Sequence, residues 1–228
     1  MSAVVALLTR SPSDPRLKAR MAPVVPEYEQ RRELVLAFID DLLSRLSSID
    51  GLQLKVAVTA PIEGFRIARP WVPYHQLLAQ RGDPFRDRLK HAFDDLARDG
   101  FRQIILLGSD VPDVPLAHVE HARRLLVENP SRVVTGPSPD GSFYLVGMNA
   151  HDHRVPDIGA NVRWGSVHML DDLEAGARAA GCEVTRVEDW PDVDTAEDVQ
   201  ALITRLTPQV DVAPHTAEVL RRYGLLPQ

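Results

Sequence analysis

Two short acidic segments carry the first chemical signal in this chain. The octapeptide Gly108–Pro115, GSDVPDVP, follows the apolar run Gln103–Leu107 without a break. Asp110 is thereby placed just past the end of a buried strand. A carboxylate there suits Mg²⁺ or Mn²⁺, because hard cations take oxygen ligands and need one or two carboxylates beside substrate phosphates. Asp113, two residues before a predicted helix, reads instead as a turn former or N-cap. The second segment is Pro191–Val199, PDVDTAEDV. Asp192 and Asp194 stand two apart in extended chain, so both side chains leave on one face, and charges so placed repel unless a cation or donor set holds them. Thr195 reads as a helix N-cap with Asp198 as its capping-box acid, and Glu197 and Asp198 suit the positive end of the helix dipole. Asp110, Asp192 and Asp194 are therefore the predicted metal ligands.

Basic residues gather elsewhere. The segment Thr9–Pro23 holds Arg10, Arg16, Lys18 and Arg20 directly after the first predicted strand. That is where α/β folds hold nucleotides, and arginine and lysine match phosphate oxygens. Arg16 alone reads better as a solvated side chain. The chain contains neither a Walker sequence nor a GxGxxG sequence. In Gly136–Met148 the turn Pro139-Asp140-Gly141 is either a plain hairpin turn or a place where Gly141 lets backbone approach a sugar or phosphate; both stand open. Trp164 covers a site or fills a core with equal weight. The eight histidines and the single Cys182 fit no zinc pattern or disulfide framework.

The elements that must position these residues alternate. Strands are predicted at Val4–Thr9, Gln53–Thr59, Gln103–Gly108, Arg132–Thr135, Phe143–Met148 and Glu183–Val187. Helices are predicted at Glu27–Ile49, Pro84–Arg98, Pro115–Glu128, Gly165–Ala180, Thr195–Leu206 and Pro214–Tyr223. Residues 60–83 read poorly, with short strands expected at Trp71 and His75–Ala79. The pattern implies a single-domain three-layer α/β/α sandwich with a mostly parallel central sheet, in which ligands sit beyond the carboxyl ends of the strands. The expected division is a nucleotide-binding domain over 1–207 and a helical extension over 208–228 packed on it.

At 228 residues with 44 % hydrophobic and 25 % charged side chains, the chain has the composition of a folded globule. A net charge of −6 argues against nucleic acid as a partner. No apolar run is long enough for a membrane span, no secretory signal is evident, and one cysteine fits a reducing cytoplasm.

Six segments, in order, resemble the bacterial glycosyltransferase-A-like family, whose members are described as nucleotide-diphospho-sugar transferases. The resemblance extends distantly to the molybdenum-cofactor and phospholactate guanylyltransferases. The family opening KAPxPGxxKTRL reads here from Arg10 to Met21. A GD…ERL element appears as Gly82-Asp83…Asp87-Arg88-Leu89, GSDxPxLP as Gly108–Pro115, and DGGYYLIG as Asp140–Gly147. A W-S element falls at Trp164 and Ser166, and DVDTPEDL at Asp192–Val199. This resemblance implies a divalent cation at Asp110 and the Asp192/Asp194 pair, with Lys18, Arg20 and Asp110 as the catalytic group. It implies contacts to a nucleotide or nucleotide-sugar from Thr9, Arg10, Lys18, Arg20, Arg88, Ser109, Asp140, Gly141, Trp164 and Ser166.

Two positions depart from the pattern. Pro15 replaces the loop glycine and removes an N–H, and Ser142 replaces the second glycine of DGG and narrows the sugar pocket. Glycosyl transfer to a small-molecule acceptor is the leading expectation. Nucleotidyl transfer from a nucleoside triphosphate to a phosphate or phosphonate acceptor comes next. A non-catalytic nucleotide-binding module, or a scaffold pairing through Pro214–Tyr223, are the remaining readings, and a homodimer stays open.

Overall fold

A computed structural model describes residues 2–227. Its strands are β1 (Ala3–Thr9), β2 (Leu52–Thr59), β3 (Leu77–Gln80), β4 (Gln103–Gly108), β5 (Arg132–Pro137), β6 (Phe143–Asn149) and β7 (Glu183–Arg186). Its helices are α1 (Tyr28–Leu46), α2 (Glu63–Ala68), α3 (Phe85–Arg98), α4 (Leu116–Glu128), α5 (Met169–Ala179), α6 (Ala196–Leu206) and α7 (Pro214–Arg222). The strands form one sheet in the order β3-β2-β1-β4-β6-β5-β7, in which β6 pairs antiparallel with both neighbours and all other pairs are parallel. The carboxyl ends of the parallel strands consequently share one rim. The β5–β6 turn also falls there, because β6 starts where β5 ends.

Period-two alternation sorts each central strand between two helical layers. Val5, Leu7, Ile105 and Leu107 face α1 and α4, while Val4, Ala6, Ile104 and Leu106 face α3 and α5. Burying each such side chain contributes about 1.5–3 kcal/mol. A third cluster lies outside α1, where Leu34 and Phe38 pack on Leu202 and Leu206 of α6 and Ala217 and Leu220 of α7.

Asp41 bolts α7 to α1. Its carboxylate is fully buried and accepts hydrogen bonds from the His215 amide (2.9 Å), the Thr216 amide (2.8 Å) and the Thr216 hydroxyl (2.6 Å). It satisfies the open N–H groups at the start of α7 from another helix. Asp41→Ala is expected to cost about 3 kcal/mol, the sum of a lost cap and stranded buried donors, read as a lower urea midpoint.

Residues 60–83 differ from expectation. No strand forms at Trp71; a two-turn helix, α2, precedes it, with Phe65 as its one buried side chain. Six residues are too few for helical periodicity to stand out. The fifth helix begins at Met169 rather than Gly165. Gly165 adopts φ +76° and the Ser166 side chain accepts from the His168 amide, a turn that delays the first helical residue.

Candidate active site

The acidic core of the site forms where three strand ends meet. Asp110 follows β4 after the Gly108-Ser109 step. A Cβ on Gly108 would lie 2.5 Å from Asp110 Oδ1, so the glycine lets this carboxylate fold back against the strand end. The segment after β7 runs beside β5: Val187 and Trp190 donate their amides to Thr135 (2.8 Å) and Pro137 (3.0 Å). It then crosses to β4, where the Val193 amide donates to the Asp110 carbonyl at 2.9 Å. Val193 is buried in the third cluster, and the expected alternation sends Asp192 and Asp194 out together. One oxygen from each of Asp110, Asp192 and Asp194 lies within 4.8 Å of the others.

A cation already sits among these acids. The Lys18 ammonium bonds Asp110 at 2.7 Å and also bonds Asp194, and Arg20 reaches Asp194 at 2.6 Å. Burial alone would lower the Lys18 pKa, but Asp110 and Asp194 hold it above the usual lysine value. Burial raises Asp194, yet Lys18 and Arg20 hold it below the usual carboxylate range. Asp192 has no hydrogen-bonded cation among the described residues, and Lys18 offsets only part of what burial and its neighbours do. Burial first, then the charges of Asp110, Asp194 and Asp140, push it up to about 7. Lys18 itself adopts φ 47° and ψ 42°, a left-handed conformation costly for a side-chain-bearing residue. Its two carboxylate partners are what the strained backbone delivers.

The capping box expected at Thr195 forms. Asp198 accepts the amides of Asp194 (3.0 Å) and Thr195 (2.8 Å), and the Thr195 hydroxyl accepts the Asp198 amide at 3.2 Å. This cap fixes the backbone that carries Asp194. Asp113 does not cap α4. It is buried and takes Arg205 Nε at 2.6 Å and Trp190 Nε1 at 3.2 Å, tying α6 and the post-β7 segment to the loop after β4. Its distance from both partners in sequence hid this role. Tyr144 adds a further tie: its hydroxyl donates to the Glu188 carbonyl, which leaves its oxygen to accept from His118 Nδ1–H, each at 2.9 Å.

The cluster lies between two lobes of one cleft, of about 560 Å³ and 510 Å³. The first lobe is basic. Arg10, Arg16, Lys18, Arg20 and Arg88 line it, together with Thr9, Ser109 and Trp164. The loop that carries its cations is held from behind by Arg31, buried on α1, which donates to the carbonyls of Leu17, Val25 and Pro26. Trp164 lies edge-on to Phe85 with ring centres 5.4 Å apart, and its indole N–H has no partner among the described residues. It is thus both a wall of the cleft and part of the packing behind it. Thr59 and Gln80 also line this lobe, and the Gln80 amide donates to the Thr9 and Ala57 carbonyls. No local pattern had marked either.

The second lobe holds Asp140, Ser142, Ser166 and Asp192. Gly141, left open between a plain turn and a close approach to a ligand, is not among the residues that line either lobe. It has φ +86°, and a Cβ there would collide with the Val167 carbonyl, so its close approach is to the chain's own backbone. The oxygen-only donor set fits a hard divalent cation, and the Lys18 ammonium between two of the carboxylates demonstrates that the cluster holds positive charge.

Comparison with known proteins bears on this geometry. The family profile described as "Uncharacterized protein conserved in bacteria (DUF2064)" matches residues 42–166. The chain belongs to this family. No curated protein sequence matches it. A DUF2064 member of this shape is similar to a solved protein from Desulfovibrio desulfuricans G20, provisionally named a nucleotide-diphospho-sugar transferase. That similarity has a TM-score of 0.83 and 27 % identity, over 98 % of this chain and 95 % of that one. A cytidylyltransferase from Leptospira borgpetersenii serovar Hardjo-bovis (strain JB197) shares the fold at TM-score 0.59 and 14 % identity, over 98 % and 95 % of the two chains. A CMP:2-keto-3-deoxy-manno-octonic acid synthetase complexed with CTP does so at 0.57 and 17 %, over 90 % and 99 %. Among the described residues of this DUF2064 chain, no helix is long and apolar enough to cross a membrane.

Proposed function

We propose that this protein is a divalent-metal-dependent transferase that uses an activated nucleotide, with a nucleotide-sugar as donor. One observation carries the reading: Asp110, Asp192 and Asp194 converge within 4.8 Å between the two lobes of the cleft, with Lys18 and Arg20 against them. Asp110, Asp192 and Asp194 would hold Mg²⁺ or Mn²⁺, and a cation there supplies charge neutralisation to the donor's phosphates. Lys18 and Arg20 meet the phosphate oxygens and stabilise the charge that grows on the leaving group. The acceptor hydroxyl attacks the anomeric carbon. A C–O bond forms there as the bond to the diphosphate oxygen breaks, the hydroxyl proton passes to solvent, and nucleoside diphosphate leaves. Similarity to the Desulfovibrio protein supports this donor.

The lining of the basic lobe favours a second reading, nucleotidyl transfer from a nucleoside triphosphate. Five cations line that lobe, enough for a third phosphate. There the acceptor oxygen attacks the α-phosphorus and pyrophosphate leaves.

A thermal-shift panel of nucleoside diphosphates, triphosphates and nucleotide-sugars, with and without Mg²⁺, tests both. A ligand at a hundred times its Kd adds about 2.7 kcal/mol, a rise of about 5–10 °C for a chain this long. Release of nucleoside diphosphate identifies glycosyl transfer, and release of pyrophosphate identifies nucleotidyl transfer. Binding without either product leaves a nucleotide-binding module. No Mg²⁺-dependent shift with any member ends the transferase reading.

A further inference from the structure

The two acidic segments of the site come from distant parts of the chain, and three ties join them outside the cleft. The Val193 amide donates to the Asp110 carbonyl at 2.9 Å. The Trp190 indole N–H donates to Asp113 Oδ1 at 3.2 Å. Arg205 donates from Nε to Asp113 Oδ2 at 2.6 Å and from Nη2 to Oδ1 at 3.3 Å. Arg205 stands in the last turn of α6, and Asp194 directly precedes the Thr195 cap that opens that helix, so α6 is held at both ends. One hydrogen bond is a hinge. Three separated ties fix both the distance and the orientation of one segment against the other.

Each jaw is itself immobilised. Arg45 on α1 donates to the carbonyls of Pro112 and Val114, on either side of Asp113, at 2.8 Å and 2.7 Å. The Trp190 amide donates to the Pro137 carbonyl, and its own carbonyl accepts from the Ser138 hydroxyl. His118 meets the indole edge-on at 5.6 Å, and the Arg205 guanidinium lies 5.8 Å from the indole centre. Asp113 is buried, and none of Asp113, Trp190 and Arg205 lines either lobe. Apolar side chains filling such a space often stabilise a fold as well as a buried ion pair does. A carboxylate that must satisfy two directional donors accepts only a narrow range of placements for them.

We infer that Asp113, Trp190 and Arg205 form a clamp that sets the separation of Asp110 from the Asp192/Asp194 pair, and thereby the affinity for a divalent cation. All three are positioning residues. The inference rests on the reading above, in which the three carboxylates hold a cation.

Asp113→Asn leaves one acceptor oxygen for two donors, so Trp190 or Arg205 is released. Trp190→Phe removes only the indole donor and keeps both a ring against His118 and the Asp113–Arg205 pair. Mn²⁺ is titrated into each full chain below its melting point, with the free ion read by electron paramagnetic resonance. Groups that orient metal ligands are worth about tenfold to a hundredfold in affinity, so both variants should bind Mn²⁺ at least about tenfold more weakly. Asp41→Ala, which loosens the α1–α7 contact, should melt lower yet keep the wild-type affinity. A loss below about threefold in either clamp variant, or an equal loss in Asp41→Ala, overturns the clamp while the metal reading stands. If the wild type binds no Mn²⁺, the metal reading falls and the clamp falls with it.

Discussion

Asp110→Asn is expected to lower the affinity for a Mg²⁺-bound nucleotide by about a thousandfold while the ligand-free protein melts at the same temperature or slightly higher. The first half follows from Coulomb attraction. A unit charge 4 Å from another, at an effective dielectric near 20, contributes about 4 kcal/mol, which is about three decades in Kd. The second half follows from what surrounds Asp110 when no cation is bound. Its carboxylate shares a space under 5 Å across with Asp192 and Asp194. Removing one of three like charges relieves repulsion, and Lys18 keeps its bond to Asp194. Asparagine also has the shape that Gly108 accommodates, and the backbone bond from Val193 to residue 110 is untouched. Melting curves and calorimetric titrations of both proteins, with and without Mg²⁺, read the two halves separately. Mg²⁺-dependent binding that survives within tenfold of the wild type would mean that the acids serve only to balance Lys18 and Arg20.

The parts of this site legible in the sequence are those with a local physical signature. Strand β4 lies at the positions its unbroken apolar run implies, Gln103–Gly108, because a strand buried on both faces has no polar alternation to blur its ends. Asp192 and Asp194 share a face because two-residue spacing in extended chain demands it, and the Thr195–Asp198 cap is a four-residue pattern. What escaped was set by packing between distant segments. Asp113 looks like a helix cap beside α4, yet Arg205, 92 residues on, claims its carboxylate. Arg31 looks like a surface helix residue, yet it is buried beneath the basic loop after β1 and ties three of that loop's carbonyls. Gly141 shows the limit from the other side. A turn glycine announces a close approach, and only the position of Val167 reveals what approaches. The loop after β1 drew notice for its basic residues, but Leu17, Met21 and Val25 are buried and anchor it.

Lys18→Met should produce effects of opposite sign on stability and on cation response. In the ligand-free protein the Lys18 ammonium is shared by Asp110 and Asp194. Methionine keeps most of the side-chain volume but leaves those carboxylates facing each other and Asp192. Breaking a buried pair by removing one partner costs about 3–5 kcal/mol. Asp110 and Asp194 retain 26 % and 31 % side-chain exposure, so solvent screens part of that. The expected loss is about 2 kcal/mol. Mg²⁺ should then raise the melting temperature of the variant by more than it raises the wild type's, because the ion no longer competes with a resident ammonium for the same oxygens. Nucleotide affinity should move the other way. Losing one charge-assisted bond to phosphate costs about 1.5–3 kcal/mol, a tenfold to hundredfold weakening. A lysine that only neutralises acids predicts a full rescue of nucleotide binding by Mg²⁺, and one that only meets phosphate predicts an unchanged ligand-free melting point. The variant is expected to do neither, because the left-handed backbone at Lys18 places one ammonium where the carboxylates end and the basic lobe begins.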